Sequence, residues 1–65
     1  MRWMMWLEQY GKRVIGQGAA SEQEARALAP ELAGMTRRLA PGSHDCLLYR
    51  NGQLFDHWIE YKGDS

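Results

Sequence analysis

The stretch Arg50-Asn51-Gly52-Gln53 separates two segments that are rich in aliphatic and aromatic residues. Asn-Gly in this setting is the strongest short-range signal of a β-hairpin, because a type I′ turn needs a positive φ at both central residues. The turn also sets a register, in which Tyr49 is expected opposite Leu54 and Asp45 opposite Trp58. The sequence therefore predicts which side chains share a face of this hairpin.

The two faces of the predicted hairpin differ in composition. The more apolar face is expected to pack under a helix, and it consists of His44, Cys46, Leu48, Phe55, His57, Ile59 and Tyr61. The other face mixes carboxylates with aliphatic and aromatic side chains, and it consists of Asp45, Leu47, Tyr49, Leu54, Asp56, Trp58 and Glu60. Aromatic side chains rimmed by charge are typical of a protein interface.

Two further strands are predicted before the hairpin, at residues 2–10 and 13–19, with a turn at Tyr10-Gly11-Lys12. Successive side chains of a strand point to opposite faces. Trp3 and Trp6 therefore cannot share a face of a regular first strand, and one of them is expected to point away from the helix.

A single helix is predicted between the two hairpins. Ser21-Glu22-Gln23-Glu24 has the pattern of a capping box, which begins a helix. The apolar spacing continues through Pro30, which predicts one kinked helix, and Arg37-Arg38 followed by Pro41-Gly42 ends it. The predicted fold class is α+β, with ββαββ order: a small, mainly antiparallel four-stranded sheet with one Pro-kinked helix packed on one face.

Length and charge restrict the class of protein. Residues 1–65 are expected to form a single compact domain with a short polar tail at 62–65. Eight basic and eight acidic side chains cancel, which disfavours nucleic acid as a partner. The apolar start at residues 1–7 is too short for a signal-peptide core or a membrane span. The lone cysteine, Cys46, fits a reducing compartment, so a cytoplasmic protein without membrane contact is expected.

One group of side chains is a candidate for chemistry. In the predicted register His44, Cys46 and His57 share a face, and Cys46 lies opposite His57 with Cβ atoms about 4.5–5.5 Å apart. Such a set can bind zinc or supply a cysteine–histidine nucleophile. It lacks the second close ligand pair of most zinc sites, and no oxyanion hole is evident. A buried thiol beside a buried histidine is favoured, so no cofactor, metal or catalytic residue is expected.

The segment Pro41-Gly42-Ser43-His44 gives an alternative. It resembles the Gly-Ser-His segment of small ribonuclease toxins with a double-stranded-RNA-binding-like fold, in which the histidine is catalytic and opens a strand. The resemblance implies RNA cleavage by His44. It covers four residues, and those toxins carry an extra strand before the motif, lack two leading strands and are basic. The same alternative class includes a nucleic-acid-binding sheet on which Tyr49 and Trp58 stack bases.

The mixed face gives the main functional hypothesis, a small non-catalytic protein-binding module that acts as an inhibitor or adaptor. Small neutral proteins of this kind include phage inhibitors of bacterial defence systems. The carboxylates favour a partner with a basic surface. Free sheet edges make a homodimer equally compatible with the sequence. The expected partner-binding residues are Leu47, Tyr49, Leu54, Asp56, Trp58 and Glu60.

Overall fold

Four strands and one helix make up the residues that the structure, a computed structural model, describes: 1–36 and 41–62. The elements are, in chain order, β1 (Trp3–Gln9), β2 (Lys12–Ala19), α1 (Glu22–Thr36), β3 (Gly42–Arg50) and β4 (Gln53–Lys62). All neighbouring strands are antiparallel, and their order across the sheet is β2-β1-β3-β4. The predicted α+β fold with ββαββ order is confirmed.

Both hairpins are closed by two-residue turns with positive φ at both central residues. The φ values are 51° at Asn51 and 82° at Gly52, and 54° at Tyr10 and 75° at Gly11. This backbone conformation is that of type I′ turns, whose twist matches the twist of the flanking strands. The Asn51 amide donates to the Arg2 carbonyl at 2.7 Å, and the Arg2 amide donates to Asn51 Oδ1 at 2.9 Å. These reciprocal bonds tie the second turn to the start of β1.

The helix α1 begins at the predicted cap. The Glu24 amide donates to Ser21 Oγ at 3.1 Å, which satisfies one of the backbone donors that a helix N-terminus leaves free. The helix is continuous through Pro30, so one helix is confirmed, and the kink stays a prediction. The predicted helix end at Arg37-Arg38 lies outside the described residues. No helix in the described ranges is long and apolar enough to cross a membrane.

The core lies between α1 and one face of the sheet. Four small or branched side chains of the helix face it, and the alanines among them let the helix approach the strands closely. Trp3 belongs to this core with 7% of its surface exposed, whereas Trp6 points to the opposite face, as the strand alternation predicts. The buried apolar residues are Trp3, Met5, Leu7, Ala25, Ala29, Leu32, Ala33, Cys46 and Leu48.

A β-bulge in β4 corrects the predicted register. Tyr49 pairs with Leu54 as predicted, but the register then shifts and Leu48 pairs with Asp56, not with Phe55. The extra residue displaces every later pairing by one position. Because side chains alternate between faces, a displacement by one residue exchanges the two faces of the strand beyond the bulge.

The predicted faces of β3 are confirmed, and those of β4 beyond the bulge are wrong. On β3, the even-numbered residues from His44 to Leu48 face the helix and are buried. On β4, the displaced register puts Asp56, Trp58 and Glu60 on the helix side and turns His57 and Ile59 away from it.

Three contacts on the helix side accompany the displaced register. Phe55 packs edge-on against Trp3, with ring centroids 5.2 Å apart and an angle of 88° between the rings. Arg26 of α1 donates to Asp56 at 2.8 Å, and Trp58 packs against the core. A regular pairing would put Asp56 and Trp58 on the opposite face and would lose the last two contacts.

Candidate functional site

The sheet face opposite α1 is covered by no element within the described residues. We call this surface the open face, and its apolar members are Met4, Trp6, Leu47, Tyr49, Leu54 and Ile59. Leu54 and Ile59 are 55% and 64% exposed, and the other four are half-buried. Apolar side chains from three adjacent strands thus form one continuous patch, which is a feature of binding surfaces more than of inert ones.

Strand pairing arranges the open face in three rows that run across the sheet. The two rows nearer the Asn51-Gly52 turn are mostly apolar and aromatic, and the third row is mostly charged. The rows consist of Met4, Tyr49 and Leu54, of Trp6, Leu47 and His57, and of Arg13, Glu8, Asp45 and Ile59. An apolar centre with charge along its border is the usual anatomy of a protein interface.

On the open face, two basic side chains each lie near a carboxylate. Arg13 Nε is 3.6 Å from Glu8 Oε2, and His57 Nε2 is 3.9 Å from Asp45 Oδ1. Both distances exceed those of strong hydrogen bonds, so these contacts add little to stability. They do affect the surface potential: because basic and acidic groups are adjacent, the charged border carries no large excess of either sign.

Trp6 is held in the middle of the open face by β2. Its ring occupies the space that a Gly16 side chain would need, since an ideal Cβ on Gly16 would lie 2.3 Å from Trp6 Cε3. The Arg13 guanidinium carbon lies 4.4 Å from the centroid of the Trp6 ring and 5.8 Å from that of Tyr49. Gly16 therefore allows an aromatic ring to approach the strand backbone closely.

An open depression of about 700 Å³ adjoins Trp6 at the end of the open face near the Asn51-Gly52 turn. We call it the arginine pocket, and its lining residues include Arg2, Met4, Trp6, Arg13, Tyr49 and Asn51. No acidic side chain in residues 1–36 or 41–60 lines it. The pocket thus combines two guanidinium groups with aromatic and thioether surface.

The bulge divides the predicted partner-binding residues between the two faces of the sheet. The structure brings together Leu47, Tyr49 and Leu54 on the open face, next to Met4 and Trp6 of β1. The remaining residues of the predicted set, Asp56, Trp58 and Glu60, lie on the helix side. Met4 and Arg13 were not predicted as members of the site, and the face of Trp6 was left open. The available signal was the alternation of β1, which puts Trp6 on the face opposite to that of Trp3 once Trp3 is assigned to the core.

Asp56 joins β4 to the helix. Arg26 donates from Nη1 to Asp56 Oδ2 and from Nε to Glu22 Oε2, both at 2.8 Å, and its guanidinium carbon is 5.4 Å from the Trp58 ring centroid. The hydrogen bond from Arg26 and the bond from the His57 amide lower the pKa of Asp56 below its usual value. This carboxylate is therefore already engaged within the fold.

The predicted histidine–cysteine group is not assembled. His44 and Cys46 are buried on the helix side, whereas His57 lies on the open face opposite Leu47, and Cys46 pairs with Trp58. In the described part of the chain, no group of three His, Cys, Asp or Glu side chains is placed to hold a metal ion.

The structure does not present His44 to an external substrate. The residue is 0% exposed, and neither ring nitrogen has a hydrogen-bond partner among the described residues. An RNA phosphate at the surface would not contact this imidazole. Tyr49 and Trp58, the pair expected to stack bases, lie on opposite faces of the sheet.

Cys46 is expected to be unreactive in the folded protein. Burial, followed by the negative charges of Glu60 and Asp45, raises the pKa of its thiol from the ordinary 9.0 to about 11. At pH 8 this shift lowers the thiolate fraction by about a hundredfold, and the thiolate is the reactive form. We expect a thiol-specific reagent to modify the native protein at least about a hundredfold more slowly than the urea-unfolded chain. Equal rates would contradict the burial of Cys46.

The raised thiol pKa also has a consequence for stability. Because the folded value lies above the unfolded one, the contribution of the protonated thiol is complete below about pH 9 and is lost as the pH rises towards 11. Thermal unfolding between these pH values should therefore show a smaller loss of stability in a Cys46→Ala variant than in the original chain.

No protein family matches the chain, and no curated protein or solved structure is significantly similar to it. The open face and the arginine pocket are therefore the surfaces from which we infer a function.

Proposed function

We propose that this chain is a small protein-binding module that docks a partner protein on the open face and acts as an inhibitor or adaptor. The observation that supports the proposal is the apolar patch made by Met4, Trp6, Leu47, Tyr49, Leu54 and Ile59. The opposite face of the sheet already packs against α1. A domain of this size gains little from leaving such a patch in water, whereas a partner that covers it removes apolar area from solvent.

The charges favour a protein partner over nucleic acid. The chain has no net charge, and on the open face Arg13 lies beside Glu8 and His57 beside Asp45. Nucleic-acid affinity comes mainly from an excess of cations along the phosphate backbone. The open face instead offers an apolar centre with mixed charge at its border, which suits another protein surface.

The positions of the carboxylates do not favour a basic surface on the partner. Among the three carboxylates on which that expectation rested, Asp45 lies on the open face beside His57, and Asp56 and Glu60 lie on the helix side. We propose instead that apolar and aromatic side chains of the open face make the main contacts with the partner. A cytoplasmic location, where a free thiol such as that of Cys46 stays reduced, remains part of the proposal.

The test uses two charged substitutions in the patch, Leu54→Asp and Ile59→Asp, which alter exposed side chains. The matched control is Met35→Asp on α1, where the methionine is 69% exposed. Proteins retained from lysate by the original chain are purified, and their affinities for each variant are measured by calorimetry. We expect binding to weaken at least about tenfold with each patch variant, as for central interface residues, and to be unchanged with the control.

Two results would count against the proposal. A partner that binds the patch variants as tightly as the original chain would bind elsewhere on the molecule. If light scattering coupled to gel filtration detects a dimer, and Ile59→Asp dissociates it, the open face would be assigned to a second copy of the chain.

A further inference from the structure

We propose that the arginine pocket receives an acidic segment of the partner, in which one or two carboxylates contact Arg2 and Arg13 and an adjacent aromatic or aliphatic side chain contacts Met4 and Tyr49. This inference rests on the proposed function, because it names the chemistry of the partner at one end of the open face. The sequence alone favoured a basic partner surface, whereas the arginine pocket favours an acidic one.

The charge of the lining selects an anion. Arg2 and Arg13 both line the pocket, and no acidic residue in the described ranges does. The contact of Arg13 with Glu8 is long, at 3.6 Å, and the Arg13 side chain is 50% exposed. Most donors of this guanidinium therefore remain available. A guanidinium offers five N–H donors in a planar fork that matches a carboxylate, and such charge-assisted pairs are among the stronger hydrogen bonds.

The backbone holds Arg2 at the rim of the pocket. Its amide and carbonyl both bond to Asn51, at 2.9 and 2.7 Å, so the residue is fixed to the turn between β3 and β4. Arg13 comes from the other side, where its guanidinium lies near the rings of Trp6 and Tyr49. An anchored backbone lowers the conformational entropy lost when a ligand binds.

The shape of the pocket follows from glycine on β2. Gly18 lies next to Met4 across the sheet and lines the pocket, so β2 has no side chain at the position opposite Met4. The resulting open depression of about 700 Å³ is far larger than one carboxylate. It is large enough for a short peptide segment with one bulky side chain. The flexible thioether of Met4 suits contact with such a side chain.

A nucleic-acid strand fits this pocket less well than an acidic peptide. Bases bind to aromatic faces that are free to stack, and the Trp6 ring already contacts β2 at Gly16 and carries the Arg13 guanidinium. Two arginines on a chain of zero net charge give a weak field for a polyphosphate.

The experiment selects peptides from a random twelve-residue display library on the immobilised full chain. The test variant carries Arg2→Gln and Arg13→Gln together, and the control carries Lys12→Gln, an exposed β2 residue that does not line the pocket. We expect the original chain and the control to enrich peptides that combine Asp or Glu with an aromatic residue. The double variant should bind the selected peptides about tenfold to a hundredfold more weakly, as expected for the loss of charged hydrogen bonds.

A charge reversal guards against a trivial loss of folding. A charge-reversed variant with Arg2→Glu and Arg13→Glu, whose circular dichroism spectrum is compared with that of the original chain, should exchange the preference for acidic peptides for one for basic peptides. Enrichment of neutral or basic peptides by the original chain would overturn the proposal. So would selected peptides that bind the double variant equally well, or tighter binding of an oligothymidylate at the same residues.

The same selection separates this inference from the proposed function. Peptides that lose affinity with Leu54→Asp and Ile59→Asp but not with the double arginine variant would retain the open face as a docking surface and reject the pocket. The absence of any enriched peptide, together with a partner that is insensitive to the patch variants, would reject both.

Discussion

Replacing Leu48 by alanine is expected to lower the free energy of unfolding by roughly 2–5 kcal/mol. Leu48 of β3 is 0% exposed and belongs to the core between the sheet and α1. The loss combines the burial free energy of the deleted CH and two methyl groups with the cost of the cavity that remains. A domain of this size has a total stability of only about 5 kcal/mol or less, so a large part of the variant should be unfolded at 25 °C.

The matched control is the neighbouring leucine. Leu47 has the same side chain and the same strand but lies on the open face, where it is half-buried. We expect Leu47→Ala to cost less than about 1 kcal/mol, as for most substitutions outside a core. Urea unfolding followed by circular dichroism measures both variants. A larger loss for Leu47→Ala than for Leu48→Ala would mean that the faces of β3 are exchanged.

The parts of the fold that were predictable are those encoded by neighbouring residues. Asn51-Gly52 and Tyr10-Gly11 specify turns through the φ values that their backbones must adopt. Ser21 specifies the start of α1 through a bond to an amide three residues later. On β3, the alternation up to Leu48 identifies the buried face because every second residue there is apolar or uncharged.

The bulge in β4 was not predictable from the same kind of pattern. Apolar residues occur there in adjacent pairs, Leu54-Phe55 and Trp58-Ile59, so either phase of the alternation buries apolar side chains. The choice depends on contacts distant in sequence, namely Trp3 with Phe55 and Arg26 with Asp56. Propensity within a strand carries no information about such partners.

The displaced register of β4 also changes the composition of the candidate site. Half of the predicted partner-binding residues were assigned to the wrong face because they follow the bulge, whereas Leu47, Tyr49 and Leu54 precede it or lie on β3. The contribution of Trp6 depends on a glycine across the strand pair, at Gly16. Such a pairing becomes visible only when the register of β1 and β2 is known.

Replacing Gly16 by alanine is expected to lower the free energy of unfolding by roughly 1–3 kcal/mol, the usual effect of forcing an extra carbon into a packed site. The added Cβ would lie 2.3 to 2.7 Å from three atoms of the Trp6 ring, so the ring must move away from β2. A displaced ring also disturbs Arg13, whose guanidinium lies 4.4 Å from its centroid. Urea unfolding and the tryptophan emission spectrum measure the two effects.

Gly18 provides the matched control, because it has the same residue type, strand and face. A Cβ there would meet the Trp3 carbonyl at 3.7 Å and Met4 Sδ at 4.0 Å, which are ordinary contacts. Neither glycine has a positive φ, so alanine strains neither backbone. We expect Gly18→Ala to leave stability unchanged or to raise it by about 0.5–1 kcal/mol, since alanine loses less entropy than glycine in a strand. Equal stabilities for the two variants would show that Trp6 does not pack against Gly16, and the central element of the open face would then be misplaced.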